Sequence, residues 1–183
     1  MIKYILLSLL LCSLSATTIS ADADLPVTQN FSVDKYMGHW YMYGSISSIV
    51  DFFCVCAQTN YVRDAKNSSI VNFDEYCRVG ASWAPIVHSH SYGEVDPVES
   101  AKWINVNPIV GSLAARADYY IILVGDNYEW SVVGSRSRGN LYILTREKTL
   151  DDAIYNSLLE KAKGLGFDVT KVQKTNQSCA DFN

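Results

Sequence analysis

Two groups of residues in this chain are of types that do chemistry, and each falls short of what that chemistry requires. His88-Ser89-His90 sets two imidazoles two residues apart, and histidine is the commonest side-chain ligand of metals. On an extended strand both rings share one face, with Tyr92 next in line. No carboxylate or thiolate joins them at a spacing readable along the chain. The expectation is a pair of surface or pocket-rim histidines and no metal. Cys54 and Cys56 form a C-x-C. A zinc site wants a C-x2-4-C pair answered by a second pair or by histidines, and none answers here. There is no G-x-S-x-G elbow, phosphate-binding glycine loop or H-E-x-x-H. The chain is therefore expected not to be an enzyme and to need no cofactor.

The cysteines point instead to a compartment. Lys3, the apolar run Tyr4 to Leu11 and the small-residue pattern Ala21-Asp22-Ala23 have the three-part grammar of a secretory signal peptide. The apolar run is far shorter than the ~20 residues of a membrane span. The expected organisation is a signal peptide over 1–23 and one domain over 24–183, secreted or periplasmic, with no transmembrane helix. Cys12, preceded by Leu10-Leu11 and early in the leader, is set aside as a lipidation site. Cys54, Cys56, Cys77 and Cys179 remain, an even count that reads as two disulfides with three connectivities open. The net charge of -4 without a Lys/Arg cluster argues against nucleic acid as a partner. Asn30, Asn67 and Asn176 head N-x-S sequons, which matter only in a eukaryotic secretory pathway.

The elements that must position these residues are mostly short strands. Trp40 to Ile46 comes first. Cys56 to Arg63 and Ile70 to Cys77 flank the polar turn Asp64-Ala65-Lys66-Asn67, a hairpin. Ile86 to Val95, Lys102 to Val106, Tyr119 to Val124, Trp130 to Val133 and Leu141 to Thr145 complete eight. Strands at regular spacing suggest an all-β sandwich or barrel, and eight suits a closed barrel with room for one small ligand. Thr149-x-x-Asp152 then resembles a capping box, and Ile154, Leu158, Ala162 and Leu165 recur at helical spacing. Gly164 and Gly166 close that run.

Eight strands and one helix in a signal-bearing chain of this size resemble the lipocalin family. The residues carry the match further. Gly38-His39-Trp40-Tyr41 contains the Gly-x-Trp-Tyr that opens lipocalins. Gly125-Asp126-Asn127 falls where the family has a Thr-Asp-x turn, with Gly in place of Thr. Tyr142-Ile143-Leu144-Thr145-Arg146 is similar to the last-strand motif ending in arginine. Cys56-Ala57-Gln58-Thr59-Asn60-Tyr61 resembles the apolipoprotein D segment Cys-x-Gln-Ala-Asn-Tyr, and Gly166 to Lys171 is similar to the post-helix segment of bacterial members. The resemblance implies an eight-stranded up-and-down antiparallel barrel with the helix packed outside. It also implies pairing of Cys56 with Cys179 and of Cys54 with Cys77, with Cys77–Cys179 as a rival seen in other branches. Some relatives are enzymes that use a free barrel cysteine, which four paired cysteines would not supply.

The implied function is to bind and transport or sequester a small hydrophobic molecule: a fatty acid, lysophospholipid, sterol or pigment such as a bilin. Gly38, Trp40 and Arg146 would form the closed base, the guanidinium stacking on the indole. If those two face inward, parity places Met42, Gly44, Tyr142 and Leu144 in the lumen. Tyr61 and Tyr142 match positions that line the apolipoprotein D pocket. Ser47 to Phe53 is a loop carrying Ile49, Val50, Phe52 and Phe53. Phe52 and Phe53 are expected to pack over the ligand, with peripheral membrane or protein contact as the other reading. A different class of function, an interaction module with a filled barrel that displays its mouth loops, would follow if large side chains occupied the whole lumen.

Overall fold

The structure, a computed structural model, describes residues 24–46, 53–108, 117–180 and 182. Phe52, and the rest of 47–52, lies outside them, as do residues 1–23. A one-turn helix, α1 (Val33–Tyr36), is followed by β1 (Gly38–Ile46), β2 (Cys54–Arg63), β3 (Ile70–Val79) and β4 (Ile86–Val95). Then come β5 (Lys102–Pro108), β6 (Ala117–Val124), β7 (Trp130–Gly134) and β8 (Leu141–Thr145). The helix α2 (Asp152–Gly164), a 3-10 turn over Val169–Lys171 and the short β9 (Gln173–Lys174) complete the chain. Each strand pairs antiparallel with the next, and β1 pairs with both β2 and β8, so the sheet closes on itself. The result is an eight-stranded up-and-down barrel with β9 added outside on β1.

Turn chemistry sets the register. Asp64 Oδ1 accepts from the backbone N–H groups of Lys66 and Asn67, and Asp96 Oδ1 does the same for Val98 and Glu99. Such Asx turns reverse the chain locally and leave the flanking strands to pair. Strands of half-buried sheet alternate, as on β3, where Val71, Phe73 and Cys77 are buried. On β7 and β8 the alternation vanishes because both faces are covered, the outer one by the N-terminal segment and α2. Phe167 and Leu25 close over Gly134, where an added Cβ would lie 2.4 Å from Phe167 Cζ.

α2 begins two residues later than the capping box suggests. Asp151 is the cap, its carboxylate accepting from Ala153 N and Ile154 N. The buried face is Tyr155, Leu158 and Ala162, while Ile154 is turned out. Tyr155 takes the place assigned to Ile154 and packs edge-on against Tyr43 at 5.5 Å.

Candidate ligand cavity

One end of the barrel is shut by side chains. Trp40 is fully buried and donates its indole N–H to Tyr36 O at 2.8 Å. The Arg146 guanidinium lies 3.8 Å over the indole ring. Its Nη2 donates to the carbonyls of Lys35, Tyr36 and Met37, and its Nη1 to His39 O. The carbonyls of Lys35, Tyr36 and Met37 end α1, where the helix supplies no internal donors, and that of His39 lies on β1. Gly38 adopts φ +92°, a left-handed conformation that favours glycine, in the turn that leads from α1 into β1. The base therefore joins α1, β1 and the end of β8 through one cation.

Above this plug an aromatic layer fills the lower barrel. Tyr36, Tyr61, Phe73 and Trp103 are buried with ring centroids 5.1–5.6 Å apart in the closest pairs, and Tyr119 stacks on Trp103 at 5.3 Å. The hydroxyls of Tyr61 and Tyr119 hydrogen-bond to each other. Ser131 Oγ donates to Leu123 O, which leaves its lone pairs to accept from Tyr36. Burial pushes Tyr36 up to about 12 and holds Tyr61 and Tyr119 well above the ordinary phenol value, so this layer is uncharged at neutral pH.

Over that floor opens a cavity of about 390 Å3, within the size range of small-molecule sites. Met42, Tyr61, Tyr142 and Leu144 line it, together with Phe73, Val106, Tyr119 and Val133. The cross-strand register Met42↔Leu144 explains why the first and last strands share this face. Gly44 does not join them. The register shifts between Met42 and Gly44, and a Cβ on Gly44 would meet Val172 and the Gln173 carbonyl of the tail. A bulge adds one residue and reverses parity beyond it.

Several lining residues were not picked out from the sequence. Following period two along β2 and β3 pairs Thr59 with Glu75 and Tyr61 with Phe73, all inward. Extending the same parity from Tyr61 would have found them. Trp103 and Tyr36 carried no comparable signal.

The family model described as a lipocalin-like domain matches residues 31–177. The chain belongs to the lipocalin family. Temperature-induced lipocalin-1 of Arabidopsis thaliana is 26% identical over 164 residues, covering 85% of this chain and 84% of that protein. The Lazarillo protein of Schistocerca americana is 27% identical over 186 residues, covering 94% and 82%. Among solved structures, insecticyanin from the tobacco hornworm Manduca sexta superposes with a TM-score of 0.64 at 14% identity, covering 87% and 85%. Lobster apocrustacyanin A1 does so with 0.62 at 17%, covering 80% of each chain. These likenesses carry the fold. The nearness to apolipoprotein D rests on the Cys56–Tyr61 segment alone.

In this lipocalin the cysteines are bonded as Cys54–Cys77 and Cys56–Cys179, with Cα–Cα distances of 5.4 and 6.0 Å. Two cysteines on one face of a regular strand could not serve a lumen-side and a tail-side partner. Here the strand is irregular: Cys56 adopts φ +55° and the β2–β3 register shifts between Val55 and Gln58. Phe53 stands just before β2 and is half exposed. Asp74, across from His90 on β3, accepts from both His90 Nδ1 at 2.9 Å and His88 Nε2 at 3.2 Å. The carboxylate absent from linear spacing is thus supplied by pairing. Its own pKa is lowered, chiefly by the His90 hydrogen bond. Among the described residues no group of three or more such side chains is arranged to hold a metal.

Proposed function

We propose that this lipocalin is a non-enzymatic carrier that takes one small hydrophobic molecule into the barrel, after export and loss of residues 1–23. The observation that carries the reading is a ready-formed, mainly apolar cavity resting on an uncharged aromatic floor. Burying roughly 350 Å2 of apolar ligand surface at ~25 cal/mol per Å2 gives ~9 kcal/mol, enough for about micromolar binding when little must be ordered first. Met42, Tyr61, Tyr142 and Leu144 would contact the ligand. The ligand set spans fatty acids, lysophospholipids, sterols and pigments such as bilins.

Native mass spectrometry and an absorption spectrum of protein purified from its own source test this directly. A bound small molecule is expected. Leu144→Trp, which fills the cavity while keeping an apolar residue on β8, is expected to abolish uptake of an apolar fluorescent probe with the far-UV circular dichroism unchanged. A correctly folded wild type that takes up no probe refutes the carrier reading.

The rim favours a second role for the same end of the barrel. Trp83 is 85% exposed, and Phe53, Val79, Ile86 and Val87 are each about half exposed. No charged residue interrupts Val79 to Val87. Such a patch suits peripheral contact with a lipid surface. Trp83→Ser is expected to reduce co-flotation with neutral phosphatidylcholine vesicles; equal flotation of both proteins removes this role.

A further inference from the structure

The described cavity wall holds two carboxylates, Glu75 and Asp118, and no lysine, arginine or histidine. Asp118 faces Arg136 at 3.8 Å, which offsets its charge. Glu75 lies between Phe73 and Cys77 on β3, opposite Thr59 of β2 and Ser89 of β4. Ser89 Oγ donates to its carboxylate. Thr59 Oγ1, buried at the same level, makes no hydrogen bond of good geometry. One residue pair deeper come Tyr61, Phe73 and Ser91, the start of the aromatic floor. A polar belt with negative charge therefore sits directly above an apolar, uncharged layer.

Resting on the carrier reading, we propose that the cavity selects apolar molecules whose polar end donates hydrogen bonds, an alcohol or an ammonium, over free carboxylates of the same chain. The belt's ionised member, Glu75, only accepts, while the Thr59 hydroxyl can accept or donate. A hydroxyl can donate to Glu75 or Thr59 and an ammonium can pair with the carboxylate, whereas an ionised acid only accepts. Bringing a second carboxylate beside Glu75 sets like charges together on one wall of the cavity, which disfavours the acid relative to the alcohol and the amine. Glu75 has interactions beyond Ser89, and the proposal uses the sign of its charge, not an unpaired state.

The test is displacement of the neutral probe N-phenyl-1-naphthylamine from the full chain at neutral pH. The competitors are dodecanol, dodecylamine and dodecanoate, three heads on one chain length. The alcohol and the amine are expected to displace the probe at concentrations at least ten-fold below the carboxylate. Glu75→Gln, a change at an exposed side chain, is expected to narrow that gap to under three-fold by admitting the carboxylate. Equal or stronger displacement by dodecanoate overturns the proposal, as does an unchanged gap in Glu75→Gln. Arg116, which stands just before β6 in the sequence, is the control: a carboxylate preference that Arg116→Gln removes also overturns it. Failure of the probe to bind at all sinks the carrier reading, and this one with it; binding with the wrong preference sinks this one alone.

Discussion

Replacing Arg146 with Met should cost this lipocalin about 4 kcal/mol, although the residue is only partly buried. The guanidinium covers the Trp40 ring at 3.8 Å and donates to the carbonyls of Lys35, Tyr36, Met37 and His39, with a longer bond to Tyr128 O. The stack contributes ~1–2 kcal/mol when partly desolvated. Of the carbonyls, Tyr36 O keeps the Trp40 indole as a donor, which leaves three that lose their main partner. At ~1 kcal/mol each, the lower end of what a lost partner costs where water can enter, the total reaches about 4 kcal/mol. Met keeps much of the volume, so the loss is polar and not a cavity. With a urea slope of ~2 kcal/mol per M, the unfolding midpoint should fall by about 2 M with the slope unchanged. Arg146→Lys keeps the charge but not the planar fork, and should recover less than half of the loss. The assay is urea unfolding followed by tryptophan fluorescence and far-UV circular dichroism, with both disulfides oxidised. A midpoint shift under 0.5 M for Arg146→Met, or an Arg146→Lys protein equal to wild type, would refute the account of the base.

Three further outcomes are expected. Removing Cys56–Cys179, which spans 123 residues, frees a longer loop than removing Cys54–Cys77, which spans 23. The chain-entropy limits are ~5 and ~3 kcal/mol, so the double Ala variant of the first pair should melt lower; the reverse order would show that loop length does not govern here. Gly134→Ala puts a methyl where Phe167 Cζ already sits, and should destabilise by ~2 kcal/mol through displacement of the buried Phe167; neutral unfolding data would show that the segment after α2 yields freely. Tyr36, Tyr61 and Tyr119 have folded-state pKa values raised by burial. Their contribution to stability is whole below the unfolded value of ~10 and is lost as pH climbs through the folded values. Absorbance at 295 nm should therefore lack three phenolates until the circular dichroism collapses; full ionisation before that collapse would contradict the buried layer.

The eight strands could be read from the chain because their signals are local. Polar turns such as Asp64 to Asn67 bond to their own backbone, and apolar runs end where those turns begin. What escaped is whatever depends on an irregularity or on a partner strand. Gly44 and Cys56 sit at or beside bulges, and a single inserted residue flips every later side chain at little cost in composition. Asp74 meets two histidines through register, which no spacing along one strand encodes. Ile154 and Tyr155 are neighbours that suit a helix equally beside Leu158 and Ala162, and Tyr155 is the one that finds a partner, Tyr43 of β1. Of the site, Met42, Tyr61, Tyr142 and Leu144 followed from parity and resemblance, while Glu75 required parity on a strand that carried no motif.

The two bulges also explain why the tail is tied down. Pairing between β1 and β2 runs only from Gly38↔Tyr61 to Tyr41↔Gln58. Beyond it β1 bulges after Met42 and β2 after Val55, so the strands part toward the mouth and would leave backbone groups of the seam unpaired. The tail enters that gap. β9 pairs with Gly44 and Ser45, Thr175 N donates to Tyr43 O, and Cys56 N donates to Asn176 O. Gln177 Nε2 donates to Met42 O on one side and Ala57 O on the other, each at 2.8 Å, bridging the parted strands. Two residues later Cys179 bonds Cys56. The disulfide thus fastens a segment whose work is to satisfy the seam beside Met42 and Ala57, both on the cavity wall. A wall held in this way is already shaped before a ligand arrives, and the ordering that would otherwise offset apolar burial has been done by the chain itself.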